Sequence, residues 1–213
     1  MTPPTPKNEK QRLNVLWQYD VLDTMPEEVF DDLTELAARI CEAPIAMITL
    51  VDEDRQWFKS KVGVSTSETS RDISFCAHAI GQSELFIVAD ATRDDRFAQN
   101  PLVTSDPKIR FYAGAPLVTP DGHNIGTLCV IDKVPRELRP DQKQALRVLA
   151  RHVMSQLEVR RRSRELAHVN EQRTRMQTDL EKVRAELAKA RRELKRFQKK
   201  PKSARHASKK TRK

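Results

Sequence analysis

The chain has 213 residues, of which 32% are charged and 38% apolar, with a mean hydropathy of −0.66; an average domain is roughly 25% charged. The longest apolar run, Ala43 to Val51, contains Pro44 and Thr49, too short and too broken for the ~20 residues of a membrane-spanning helix, and the opening MTPPTPKNEKQR lacks the apolar stretch of a secretory signal. Residues 163–213 hold 18 Lys and Arg against 6 Asp and Glu, so the overall +9 is a basic C-terminal segment on a slightly acidic body.

Taken in order, residues 1–7 are expected to be disordered. Asn8–Tyr19 reads as a helix with Leu13, Leu16 and Trp17 on one face. Pro26 then stands where a helix starts, and Val29, Phe30, Leu33, Leu36, Ala37 and Ile40 recur at three and four. Ala43-Pro44 ends that helix. Ile45–Asp52 and Gln56–Val62 read as strands, Ser74–Gly81 as a short helix and Leu85–Ala89 as a strand. The polar stretch Asp90–Pro107 reads as a loop. Ile109–Val118 and His123–Asp132 form a hairpin across Pro120-Asp121-Gly122. About five strands in adjacent pairs, with helices at both ends, make an α+β domain on an antiparallel sheet.

Two strands are apolar on both alternating faces. In one, Ile45, Met47 and Val51 oppose Ala46, Ile48 and Leu50; in the other, Ile125, Cys129 and Ile131 oppose Leu128 and Val130. Such strands need cover on both sides. The terminal helices supply one cover, and the short helix with the Asp90–Pro107 loop is left to supply the other. A sheet face roofed by loops is where a small-molecule pocket forms.

Six segments together resemble one family. They are Tyr19–Glu28 (YDVLDTMPEE), Arg55–Ser60 (RQWFKS), Ser74–Ile80 (SFCAHAI), Asp94–Phe97 with Asn100–Val103, Ile109–Leu117 (IRFYAGAPL) and Gly126–Asp132 (GTLCVID). In this order they resemble a GAF domain of the bacterial sensor type over residues 8–160. The resemblance implies an antiparallel sheet flanked by helices, a small-ligand or protein-sensing role, and dimerisation through terminal helices. Domains of this kind are usually fused to histidine kinases or cyclases, and nothing similar to either follows here.

From Asp141 to Lys200 there is neither Gly nor Pro, and Pro140 suits a helix N-terminus. Leu166, Val169, Arg173, Met176, Leu180, Val183, Leu187, Ala190, Leu194 and Phe197 alternate spacings of three and four, the pattern of a coiled-coil seam over 161–198. In a parallel homodimer Asp179 would face Arg184 and Glu186 would face Arg191, both opposite in sign. Arg173 opposes tight core packing, and Leu with Val in the seam leaves higher oligomers open. Upstream, Leu146, Leu149, Val153 and Leu157 follow a different phase, predicted to pack on the domain. The phase changes near Arg160–Arg162, either as a bistable junction or simply because packing partners change there.

Around the expected pocket stand Arg71, Asp72, Ser74, Cys76, Arg110, Tyr112 and Thr127 as candidate ligand-binding residues. Arg110 and Tyr112 share a strand face, so an anion or planar ligand would meet both; the competing reading is a salt bridge from Arg96 or Arg110 that holds the roof. Cys76 and His78 lie two apart and on a helix point ~200° apart, poor geometry for a metal site or a nucleophile pair. Three widely spaced cysteines, Cys41, Cys76 and Cys129, without a CxxC, fit reduced thiols in a cytoplasm. No catalytic or metal motif is visible and no cofactor is indicated.

The expectation is a non-catalytic cytoplasmic sensor or adaptor that binds a small ligand or protein and signals through a dimeric coiled coil to a downstream partner. Two alternatives stand beside it. One is a thiol-based redox enzyme using Cys76 or Cys129, like the GAF-type free methionine sulfoxide reductase, whose cysteine motif is not found here; bilin attachment likewise lacks a cysteine in its expected loop. The other is a dimeric protein binding nucleic acid, or another anionic surface, through the tail at 199–213, which has eight Lys and Arg and no acid.

Overall fold

The computed structural model describes residues 3–199, apart from the side chains of Phe197 and Lys199; beyond the backbone of Lys199, the expected basic tail lies outside the described residues. Helix α1 (Glu9–Gln18) buries Arg12, Leu13 and Leu16. Trp17, expected on the same face, is half exposed, and its indole N–H reaches Asp52 at 3.0 Å. Helix α2 (Glu28–Cys41) turns Phe30, Thr34, Ala37, Ala38 and Cys41 inward at three- and four-residue steps. Its end is closed by Glu42 in the left-handed region at φ +53°, with the Ala43 N–H bonding to the Ala38 carbonyl at 3.0 Å. This Schellman closure stops the helix ahead of Pro44.

Six antiparallel strands follow: β1 (Ile45–Val51), β2 (Arg55–Val62), β3 (Glu68–Ser70), β4 (Phe86–Val88), β5 (Phe111–Val118) and β6 (Asn124–Asp132), in the spatial order β3-β2-β1-β6-β5-β4. The fold is α+β, a sheet flanked by helices. The one-turn helix α4 (Pro101–Thr104) falls in the stretch that the sequence reads as loop, and β3 in one to which it assigns no element, because three or four residues are too few to display a period. The β5–β6 turn works as its residues dictate. Gly122 takes φ +80° at the end of Thr119-Pro120-Asp121, and its N–H returns to the Thr119 carbonyl at 2.9 Å.

The central strands are buried on both faces. On one, Ala46, Ile48, Leu50, Leu128 and Val130 pack with α1, α2 and the start of helix α5 (Pro140–Lys199). On the other, Ile45, Met47, Val51, Cys129 and Ile131 pack beneath helix α3 (Phe75–Ala79), the 91–103 segment and Ile109. Ile125 departs from the expected alternation and joins the Leu128 face. The β5–β6 register shifts between Leu117 and Val118, opposite this end of β6, and a bulge re-aims the side chains beside it.

The chain divides into two compact units, the first ending with Arg162 and the second starting with Ser163. In the first, Leu146, Leu149, Val153 and Leu157 of α5 are buried against the sheet, as their phase predicts. In the second, Leu166, Val169, Met176, Leu180, Val183, Leu187 and Leu194, the apolar positions of the expected seam, are all 50–72% exposed. Among the described residues, no helix is long and apolar enough to cross a membrane.

Candidate functional site

Beneath the loop-covered face lies a cavity of about 100 Å³ between β1, β2, β5 and β6 and the roof made by α3, α4 and the segment 64–69. Its walls are mostly apolar: Met47, Phe58, Phe75, Leu102, Ile109 and Ile131 are among them. A few polar groups interrupt them, chiefly Gln56, Thr66, Thr69, Cys76 and Tyr112. The site exists because the roof is made of short pieces. α3 has five residues and α4 has four, so neither lays down the continuous apolar stripe that a longer helix provides.

Each roof piece is pinned by polar groups. Ser74 caps α3 by accepting from the Ala77 N–H at 3.0 Å, and its hydroxyl donates to Gln56 of β2. Asn100 caps α4 by accepting from the Leu102 N–H at 2.9 Å, and its amide donates to the Ile73 carbonyl at 3.0 Å. Such caps contribute about 1 kcal/mol each. Phe75 stacks on Phe97 with ring centroids 4.0 Å apart and on Tyr112 at 5.3 Å, which locks α3 to both the 90s segment and β5.

At the base of the cavity stands a polar cluster. The Tyr112 hydroxyl donates to Cys76 Sγ at 3.2 Å and lies 3.5 Å from Thr127 Oγ1. Thr127 Oγ1 is 3.1 Å from Thr49 Oγ1, and the sulfurs of Cys76 and Cys129 are 3.8 Å apart. Gly114 makes room for this arrangement, since a Cβ there would meet the Tyr112 hydroxyl oxygen at 2.2 Å. Burial pushes the Cys76 thiol up, but hydrogen bonds with Cys129, Thr127, Thr49 and Tyr112 outweigh it and hold Cys76 below the ordinary thiol range. Cys129 is pushed well up, first by its bond to Cys76 and then by burial. Tyr112 is also pushed well up, by burial and then by the two thiols.

Of the candidates named from sequence, Ser74, Cys76, Tyr112 and Thr127 come together at this site. Arg71, Asp72 and Arg110 do not line it. Arg71 bonds to Glu9 at 2.6 Å and to the Asp52 and Glu53 carbonyls, Asp72 is exposed, and Arg110 donates to the Val103 and Ile109 carbonyls at 3.0 Å. Arg110 and Tyr112 therefore do not present a joint anion site; Arg110 holds the roof by backbone contacts. Arg96 pairs with Asp94 at 2.6 Å, which fits the salt-bridge reading of that turn. Cys76 and His78 diverge as the helical spacing requires. Cys76 faces Cys129, whereas the His78 ring meets Phe97 edge-on at 4.8 Å, held below its ordinary value by burial and then by Arg96.

Sequence reasoning missed the apolar walls and three polar residues, Gln56, Thr66 and Thr69. Thr69 Oγ1 is buried without a hydrogen-bond partner among the described residues. The alternation in Ile45–Val51 was the available signal for Met47 and Ile45; Thr69 sits in a three-residue strand with no pattern to read. No group of three His, Cys, Asp or Glu side chains among the described residues can hold a metal ion.

Known proteins place this architecture. The chain is 44% identical over 157 residues to a cyclic di-GMP phosphodiesterase of Pseudomonas aeruginosa, a match covering 73% of this chain and 27% of that protein. The chain thus spans little more than a quarter of that relative's length. Two solved structures share the fold at low identity. The GAF domain of an Acinetobacter phosphoenolpyruvate-protein phosphotransferase superposes with a TM-score of 0.53 at 16% identity, covering 71% of this chain and 93% of that one. The free methionine-R-sulfoxide reductase of Neisseria meningitidis, solved with its substrate, gives 0.52 at 15% identity, covering 76% and 98%. The GAF domain family model itself matches residues 25–157, and the chain belongs to the GAF domain family.

Proposed function

We propose that this GAF domain is a non-catalytic cytoplasmic sensing module that takes a compact, largely apolar ligand into the cavity below α3 and α4 and signals through a dimeric coiled coil. The observation that carries the reading is the cavity with its one unsatisfied polar atom. Ligand pockets usually offer about 300–1,000 Å³, so ~100 Å³ suits an occupant near the size of a single ring. It is too small for a dinucleotide or a tetrapyrrole. Thr69 Oγ1 supplies a hydrogen-bonding group for a polar substituent. Three free cysteines fit a reducing compartment.

The route outward uses strands buried on both sides. Met47 and Ile131 wall the cavity, while their neighbours Ile48 and Val130 pack in the core that also holds Leu146 and Val153 of α5. A shift of β1 or β6 on ligand binding is therefore felt by α5. The exposed seam from Leu166 to Leu194 supports a second copy of this chain as its cover, with Asp179 facing Arg184 and Glu186 facing Arg191 across a parallel pair.

Phenol, one ring with one hydroxyl, is the first probe. Thermal unfolding of the full chain is expected to rise in midpoint with phenol concentration. Val64→Phe, placed at the half-buried cavity rim, removes that rise. An unchanged midpoint in wild type, or an equal rise in the variant, overturns the ligand reading. For the seam, wild type is expected to sediment as a dimer and the double variant Leu180→Glu/Leu187→Glu as a monomer; a monomeric wild type defeats it.

A further inference from the structure

The cavity also gives access to a pair of thiols that the sequence places 53 positions apart. Cys76 lies on α3 and Cys129 on β6, both buried, both free, with their sulfurs in van der Waals contact at 3.8 Å. Cys76 is part of the cavity wall; Cys129 stands behind it. We propose that Cys76 and Cys129 form a reversible dithiol–disulfide couple, oxidised by a hydroperoxide small enough to enter the cavity, with Cys76 as the attacking thiol and Cys129 as the resolving one.

The geometry divides the two roles. Only Cys76 meets the cavity, and it accepts a hydrogen bond from the Tyr112 hydroxyl at 3.2 Å, which stabilises the thiolate. Hydrogen bonds with Cys129, Thr127, Thr49 and Tyr112 also favour the thiolate at Cys76 against the cost of burial. Attack by Cys76 sulfur on the distal peroxide oxygen breaks the O–O bond. Sulfur is oxidised to sulfenic acid, and the proximal oxygen leaves as water or an alcohol after taking up the thiol's proton. Cys129 sulfur then attacks Cys76 sulfur, the S–S bond forms, and the hydroxyl leaves as a second water carrying the Cys129 proton. One hydroperoxide accepts two electrons and two thiols supply them.

The bond has a structural consequence. A disulfide needs about 2.05 Å between sulfurs, so one partner must approach. β6 is hydrogen-bonded on both sides, to β1 and to β5, whereas α3 is a five-residue helix. α3 is the element that moves, and the cavity wall moves with it. Cys41 is the built-in contrast. It lies in the opposite core, and burial pushes its thiol up to about 11.

The test uses the full chain, fully reduced, then exposed to equimolar hydrogen peroxide near neutral pH and alkylated with N-ethylmaleimide after unfolding. The expected result is one adduct per chain instead of three, the remaining adduct on Cys41, a peptide link between Cys76 and Cys129, and three adducts again after dithiothreitol. In Cys129→Ser, dimedone is expected to trap a sulfenic acid on Cys76, and in Cys76→Ser peroxide leaves Cys129 alkylatable. Three adducts on wild type under conditions that oxidise free dithiothreitol would overturn the couple, as would a link through Cys41 or between chains. The wild-type mapping decides the matter even if a variant folds poorly. It is independent of the phenol experiment, which is done on reduced protein.

Discussion

One face of this sheet is covered by long helices and the other by fragments, and the two behave as different materials. On the helical face, α1, α2 and α5 deliver side chains at a regular three-and-four spacing, so Phe30, Leu16, Leu146 and Val153 interlock with Ile48, Leu128 and Val130 at full burial. On the fragment face, two helices of five and four residues and the connecting segments are held by caps, ring stacking and single side-chain hydrogen bonds. That cover leaves a cavity and brings two thiols and a phenol into contact. Regular cover gives stability, and irregular cover gives a place where something can bind or react.

The sharpest way to break this contrast uses two neighbours on β6. Leu128 points into the helical core and Cys129 into the fragment core, both fully buried. Leu128→Ala is expected to cost about 3–4 kcal/mol, transfer plus cavity, because interlocked helices cannot collapse onto the void. Cys129→Ala removes a single sulfur from behind the cavity wall, where the five-residue α3 can settle onto the gap, and is expected to cost about 1 kcal/mol. Urea unfolding of both variants and wild type measures the difference. Equal losses would mean that the two faces are packed alike.

The same contrast explains what could be read in advance. The helices and long strands announced themselves by period, and the phase of Leu146, Leu149, Val153 and Leu157 located the part of α5 that packs on the sheet. The double-sided apolarity of Ile45–Val51 disclosed a second core and a pocket under loops, and the Asn100-Pro101 pair held a legible cap for α4 that the surrounding polar stretch concealed. The composition of the pocket was harder. Ser74, Cys76, Tyr112 and Thr127 stood out as polar residues near apolar strands, but so did Arg71 and Arg110, whose side chains go to backbone carbonyls. A guanidinium's reach and its choice of carbonyls depend on tertiary geometry that spacing does not encode. Nor does spacing reveal that positions 76 and 129 meet, which follows from how α3 folds back over β6.

The two covers are tied together at one end by a charged knot, and its titration gives the smallest effect and a defined sign. Arg12, almost wholly buried in α1, donates to the Val51 carbonyl at 2.7 Å and to both carboxylate oxygens of Glu9 at 2.7 and 2.8 Å. Arg71, from the turn that leads into α3, reaches the same carboxylate at 2.6 Å. Burial raises the Glu9 carboxyl, but the bonds from Arg12 and Arg71 outweigh it and hold the group at about 2, against an ordinary 4.5. A carboxylate more acidic when folded contributes stability that is complete above the unfolded value and disappears as pH falls through the folded one. With allowance for solvent at this partly exposed site, Glu9 is expected to contribute about 1–2 kcal/mol, lost between pH 4.5 and 2. In Glu9→Gln that loss is already present at neutral pH, together with the penalty of leaving Arg12 buried beside a neutral amide, about 2 kcal/mol in all. Asp23, Glu27, Asp94 and Glu158 are also held low by arginine or lysine partners and by hydrogen bonds, so the wild-type acid slope keeps other contributions. The decisive quantity is the difference between the two curves. If wild type and Glu9→Gln lose stability in parallel from pH 5 to 2, Glu9 does not join the helical cover to the fragment cover through its charge.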